Sequence, residues 1–157
     1  MNKTFIKVQK IKHELYNACV AYVSQRVDTA NSAVVDAQAS ANSEEKSTAG
    51  DKHDTARAMM QLAAEQNAKH LAAAKKLNHA MTLIDPESSN AKVGLGSLVI
   101  ASNGNFYIAI SVGKIELNGT LYFAISPSSP MGQILSGLKK GDVSQFNGMK
   151  IEIKEVH

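Results

Sequence analysis

The sequence predicts an α+β protein: a long N-terminal antiparallel helical hairpin, paired as a coiled coil, followed by a small antiparallel β domain with one short helix. Three observations predict it. Residues 1–84 hold one glycine, Gly50, and no proline, whereas residues 85–157 hold the other nine glycines and all three prolines. In the first part apolar or small residues recur three or four apart, the spacing of one helix face. In the second part three Asn-Gly dipeptides separate alternating apolar runs, the strongest short-range hairpin signal. At 157 residues with 44% hydrophobic and 20% charged residues, the chain has material for a core, and its composition argues against wholesale disorder.

The first helix follows from Val8, Ile11, Leu15, Cys19, Val23, Val27, Ala30, Val34, Ala37 and Ala41. The run of fours between Ile11 and Val27 departs from a strict heptad and locally unwinds a supercoil. A polar stretch from Asn42 to Asp51, containing Gly50, breaks the pattern. Ala56, Met59, Ala63, Gln66, His70, Ala73, Leu77, Ala80 and Ile84 then alternate gaps of three and four, a heptad seam for the second helix. An arm is expected over residues 1–84 with its tip near 42–53. At 1.5 Å per residue, helices of this length run about 50 Å. A seam of mainly Ala and Val permits close approach but buries little area per residue.

Pro86, in the connector Asp85-Pro86-Glu87, stops the second helix. The β domain is expected over residues 92–157. Strands are expected at 97–101 and 105–112 around Asn103-Gly104, at 114–117 and 120–125 around Asn118-Gly119, and at 143–146 and 149–156 around Asn147-Gly148. Both residues of an Asn-Gly pair tolerate the positive φ of a type I′ turn. Between the second and third pairs, Ser129 suits an N-cap, Pro130 the first turn and Gly137 the end of a short helix.

Composition narrows the function. With four Tyr, four Phe and no Trp, a stacking platform for single-stranded nucleic acid is poorly supplied. A net charge of +3 is weak for duplex binding by counterion release. The lone Cys19 excludes an internal disulfide and a Cys-rich zinc site, and it lies in the arm with no evident base-and-orienter pair to make it a nucleophile. The N-terminal residues lack the apolar run of a signal peptide, and no segment is long and apolar enough to span a bilayer, so a cytoplasmic protein is expected.

The run from Ala124 to Asp142 resembles the C-terminal domain of the Gre transcription elongation factors. In that family a strand leads to a Ser-Pro-(Leu/Met)-Gly turn, then a helix, a basic pair and Gly-Asp. Ser129, Pro130, Met131, Gly132, Leu135, Lys139, Lys140, Gly141 and Asp142 match in register. The closing run Gly148-Met-Lys-Ile-Glu-Ile-Lys-Glu-Val156 is similar to the family's last strand, and Ala56-Arg57 to the start of its second coiled-coil helix. The resemblance implies an FKBP-like β domain that docks on bacterial RNA polymerase at the rim of the secondary channel, through Ser129, Pro130, Met131, Gly132, Lys139 and Lys140. It implies an arm that enters the channel. It implies no enzyme in isolation and no stably bound cofactor, but an auxiliary factor whose tip acids share Mg²⁺ with the polymerase during cleavage of backtracked RNA. Mg²⁺ takes hard oxygen ligands and keeps several waters, which suits such sharing.

The tip departs from the family pattern. The positions of the family's two key acids, aligned on Arg57, hold Lys46 and Ala49. Asp51 and Asp54 keep the spacing of three that puts two acids on one helix face, though about five residues later. They are the candidate metal pair, with Glu44 and Glu45 second. Acids at a helix start also follow from the macrodipole alone. Channel occupancy without cleavage is therefore an open alternative, as is a coiled-coil adaptor with no polymerase role.

Overall fold

The computed structural model describes residues 2–45 and 52–157, with the side chains of residues 44, 45, 52 and 53 outside that description. Two long helices come first, α1 (Lys3–Glu45) and α2 (Lys52–Thr82). Strands β1 (Leu98–Ala101), β2 (Gly104–Ile108), β3 (Gly113–Leu117) and β4 (Thr120–Ile125) follow, then helix α3 (Pro130–Leu135) and strands β5 (Val143–Phe146) and β6 (Met149–Val156). The chain is thus α+β, with the helices and the sheet in the expected order. It forms two compact units, one of Met1–Tyr22 with His79–His157 and one of Val23–Asn78, so the division falls within the helices rather than at the connector.

At the start of α1 the Asn2 side chain accepts from the Thr4 amide at 3.2 Å, satisfying a donor that has no partner inside the helix. The end of α2 tightens, with the amides of Leu83 and Ile84 bonded to the carbonyls of Ala80 and Met81. Asp85 then accepts from the Glu87 amide at 2.9 Å, closing a turn around Pro86. In the first unit the contacts run in opposite directions along the two segments. The buried Lys12 ammonium donates to the Ser88 carbonyl, and the Tyr16 hydroxyl donates to the Met81 carbonyl at 3.5 Å, which is antiparallel order.

Every expected seam position of α1 is buried or half-buried, with Leu15 and Cys19 fully so. The seam of α2 is corrected over most of its length. Ala56, Leu77, Ala80 and Ile84 face inward as expected, but Met59, Ala63, Gln66, His70 and Ala73 are exposed. Met60, Asn67, Leu71, Ala74 and Met81 take the inner side instead. Alanines at 72, 73 and 74 make neighbouring registers look alike in sequence. The longer side chains of Leu71 and Met81, and the bond from the Asn67 side chain to the Ala33 carbonyl at 3.4 Å, decide between them.

The strands form one six-stranded sheet in the order β3-β4-β2-β1-β6-β5. All three expected hairpins are present: β1 with β2, β3 with β4, and β5 with β6. Asn118-Gly119 and Asn147-Gly148 have positive φ at both residues, as a type I′ turn requires. The first hairpin differs, because Ala101 faces Gly104 and the loop is Ser102-Asn103. The expected all-antiparallel sheet is corrected as well: β2 and β4 pair in parallel, so the sheet is mixed. The run after Asn105 leaves β2 at Ile108, and β3 passes to the outside of β4. β4 carries the buried Tyr122 and Ala124 on one face and the half-buried Phe123 and Ile125 on the other, which suits a central strand. β3 exposes Lys114 and Glu116, which suits an edge.

Each face of the sheet has its own cover. Val99, Ala101, Phe106, Ile108, Ile151 and Ile153 pack with Val93 and with Leu135 of α3. Phe106 and Phe123 meet there with ring centroids 5.9 Å apart. On the other face Leu98 stands opposite Tyr107, and Tyr107 opposite Ala124. Cys19 and Tyr16 are the electrostatic neighbours of Tyr107, and Glu14 that of Tyr122, so the first part of α1 covers this side. Burying an apolar side chain of this size contributes about 1.5–3 kcal/mol.

Candidate partner-docking site

The strand β4 delivers the chain to Ser126, and a compact turn converts it into α3. The Ser129 hydroxyl donates to the Ser126 carbonyl at 2.7 Å and accepts from the Gly132 amide at 3.1 Å. Ser129 is therefore the N-cap of α3, with extended backbone angles. Pro130 occupies the first turn, where a missing N–H costs nothing. Gly132 is required by space: a Cβ there would collide with the Ser126 carbonyl and crowd Ser129 Oγ at 2.9 Å and Pro127 O at 3.0 Å. Leu135 is fully buried and pins α3 to the sheet. Gly137, at φ +77, turns the chain away.

A second turn follows. The Asp142 carboxylate accepts from the Lys139 amide at 2.9 Å, and the Asp142 amide returns to the Lys139 carbonyl at 3.0 Å. The Gly141 amide donates to the Ile153 carbonyl at 2.8 Å, and the Ile153 amide to the Asp142 carbonyl at 2.9 Å, fastening this turn to β6. The Lys139 and Lys140 side chains are left exposed.

The candidate docking residues thus divide by what they do. Ser129 and Gly132 build the turn, and Gly132 is buried. Pro130, Lys139 and Lys140 are exposed, and Met131 is half-buried against the core. Ser129, Pro130, Met131 and Gly132 lie at the start of α3, a helix of six residues and so about 9 Å long, whereas Lys139 and Lys140 lie beyond its end. Sequence reading missed Lys92. It pairs with Lys139 across an isolated antiparallel bridge, held by the Val93 amide on the Leu138 carbonyl at 2.8 Å. Forty-odd residues separate the two lysines along the chain, and no local pattern signals their meeting.

At the tip, Asp54 is exposed in the first turn of α2. Asp51 lies outside the described residues. Glu44 and Glu45 end α1, and their side chains lie outside the description. Among the described residues no three His, Cys, Asp or Glu side chains gather to hold a metal. No helix among them is long and apolar enough to cross a membrane.

Burial also perturbs two groups of α1. Desolvation pushes the Cys19 thiol up to about 12. Desolvation lowers Lys12, partly opposed by the charge of Asp85. Both belong to the packing of α1 and face no open surface. No protein-family model matches this chain, and no curated protein is significantly similar to it.

Proposed function

We propose that this chain is a Gre-type factor that binds the secondary channel of bacterial RNA polymerase in the cytoplasm. In this reading the β domain is FKBP-like and docks at the channel rim, and the α1–α2 arm enters the channel. The observation that carries the reading is the run Ser129-Pro130-Met131-Gly132 through Lys139-Lys140-Gly141-Asp142. Its resemblance to the Gre factors is accompanied by a local use for Ser129, Gly132, Leu135 and Asp142.

The physical consequence is an auxiliary factor with no hydrolytic site of its own. Two carboxylates supply too few oxygen ligands for Mg²⁺, which would have to be shared with the polymerase. Asp51 and Asp54 are the residues that would share it, with Glu44 and Glu45 in reserve. A second metal at a polymerase centre activates water and stabilises the leaving oxygen, the chemistry that cleavage of backtracked RNA needs. Because the acids stand later than in the family pattern, cleavage weaker than a Gre factor's, or inhibition by occupancy, is expected.

The test is competition. Backtracked RNA polymerase is mixed with a Gre factor and increasing amounts of this protein, and released RNA and complex formation are both measured. A complex, with a fall in Gre-stimulated cleavage, is expected. If saturating protein forms no complex and leaves that cleavage unchanged, the reading is overturned.

A further inference from the structure

We infer that Lys92, Lys139 and Lys140 form a basic docking patch for a carboxylate-rich protein surface. Lys92 and Lys139 face each other directly across their bridge. Opposed like charges destabilise a strand pair, so the arrangement works against the fold by itself. All three side chains are exposed. Among the described residues, no ion pair involves these lysines, unlike His13 with Glu87 and His157 with Glu155. The nearest acid in sequence, Asp142, has its Oδ2 engaged by the Lys139 amide. The backbone under the patch is rigid: Val93 bonds to Leu138 and receives Gly137, while Gly141 and Asp142 are tied to Ile153. Lys92 and Lys139 are thus held opposite one another with Lys140 next in the chain, three lysines to the single carboxylate of Asp142 in this turn, and an incoming anionic surface relieves the repulsion across the bridge.

The chemistry favours protein carboxylates over nucleic acid. The patch has lysines, which act as point charges, and no arginine fork for bidentate phosphate binding. The residues beside the lysines, Ala91, Val93 and Leu138, offer no aromatic ring on which a base would stack. This inference rests on the polymerase reading only for the identity of the partner.

The probe is poly-L-glutamate, titrated into the full-length protein at low and at moderate salt. The variants are Lys92→Gln alone, and Lys92→Gln with Lys139→Gln and Lys140→Gln. A control carries Lys114→Gln and Lys150→Gln, on exposed positions of other strands. Wild type and control are expected to bind with an affinity that falls as salt rises. The triple variant is expected to lose at least tenfold, and Lys92→Gln alone to weaken binding measurably, with folding of each checked by circular dichroism. A triple variant with arginine at the three positions should restore binding. If the triple Gln variant binds as wild type does, the patch is refuted. If a single-stranded RNA competes more tightly and with the same dependence on the lysines, the protein-carboxylate assignment is refuted. RNA polymerase is then titrated in parallel. Loss of polymerase binding in the triple variant places the patch at that interface. Glutamate binding as expected with no polymerase complex keeps the patch and refutes the polymerase reading.

Discussion

Gly132 sits so close beneath the carbonyl of Ser126 that no side chain fits between them. The neighbouring Ser129 hydroxyl bonds both Ser126 and Gly132, so strand β4 is welded to the start of α3 through three residues. Gly132→Ala should therefore destabilise the protein by about 1–3 kcal/mol through overpacking. Ser129→Ala should cost about 1 kcal/mol through loss of the cap. Urea unfolding measures both, and a Gly132→Ala variant as stable as wild type would contradict the geometry.

Lys12 tests the base of α1. It is fully buried and donates to the Ser88 carbonyl. Lys12→Ala removes most of a side chain from a packed site and should cost about 2–5 kcal/mol. Lys12→Met fills the volume without burying a charge and should cost much less. Because the folded pKa is lowered, the folded chain gives up this proton before the unfolded one does. Stability should therefore rise with pH from the lowered value up to the unfolded value of 10.5, and Lys12→Met should lack that rise.

Cys19 gives the opposite slope. Its thiol keeps the proton in the folded state to about 12, whereas the unfolded thiol loses it near 9.0. The contribution is whole below the unfolded value and is lost as pH rises toward the folded one. Above about pH 9 this single group should lower stability by up to about 1.4 kcal/mol per pH unit. Urea unfolding at several alkaline pH values should show a shallower fall in Cys19→Ala than in wild type. A thiol reagent at neutral pH should leave the folded protein unmodified and react on denaturation.

The α2 register is checked by a pair of truncations. Met59 is 69% exposed and Met81 is 3% exposed. Met59→Ala should change stability by no more than about 0.5 kcal/mol. Met81→Ala should cost about 2–5 kcal/mol. Thermal melts of the two variants would reveal a reversed order if the seam ran through Met59.

The tip acids are tested in the polymerase complex. Asp51→Asn with Asp54→Asn keeps shape and removes charge. If wild type stimulates release of backtracked RNA, the double variant should return release to the level of polymerase alone. Equal stimulation by the variant would move the metal role to Glu44 and Glu45. Equal inhibition by both proteins would leave occupancy of the channel as the mechanism.

Local chemistry in the sequence by itself determined the elements of this protein. Glycine and proline segregation separated the helices from the strands, two Asn-Gly pairs determined the turns of two hairpins while the third marked the remaining hairpin one residue out of register, and Ser129-Pro130 determined the start of α3. Each of these is decided within a few residues, where backbone angles and caps outweigh the rest of the chain. What only the tertiary structure decided is non-local. The parallel pairing of β2 with β4 depends on which strands carry two apolar faces and so belong in the middle. The α2 seam depends on which of two adjacent alanine-rich registers packs the larger side chains. The burial of Lys12 and the meeting of Lys92 with Lys139 depend on segments far apart in sequence. No periodicity encodes such meetings, because their energy exists only once the sheet and its covering helices have closed.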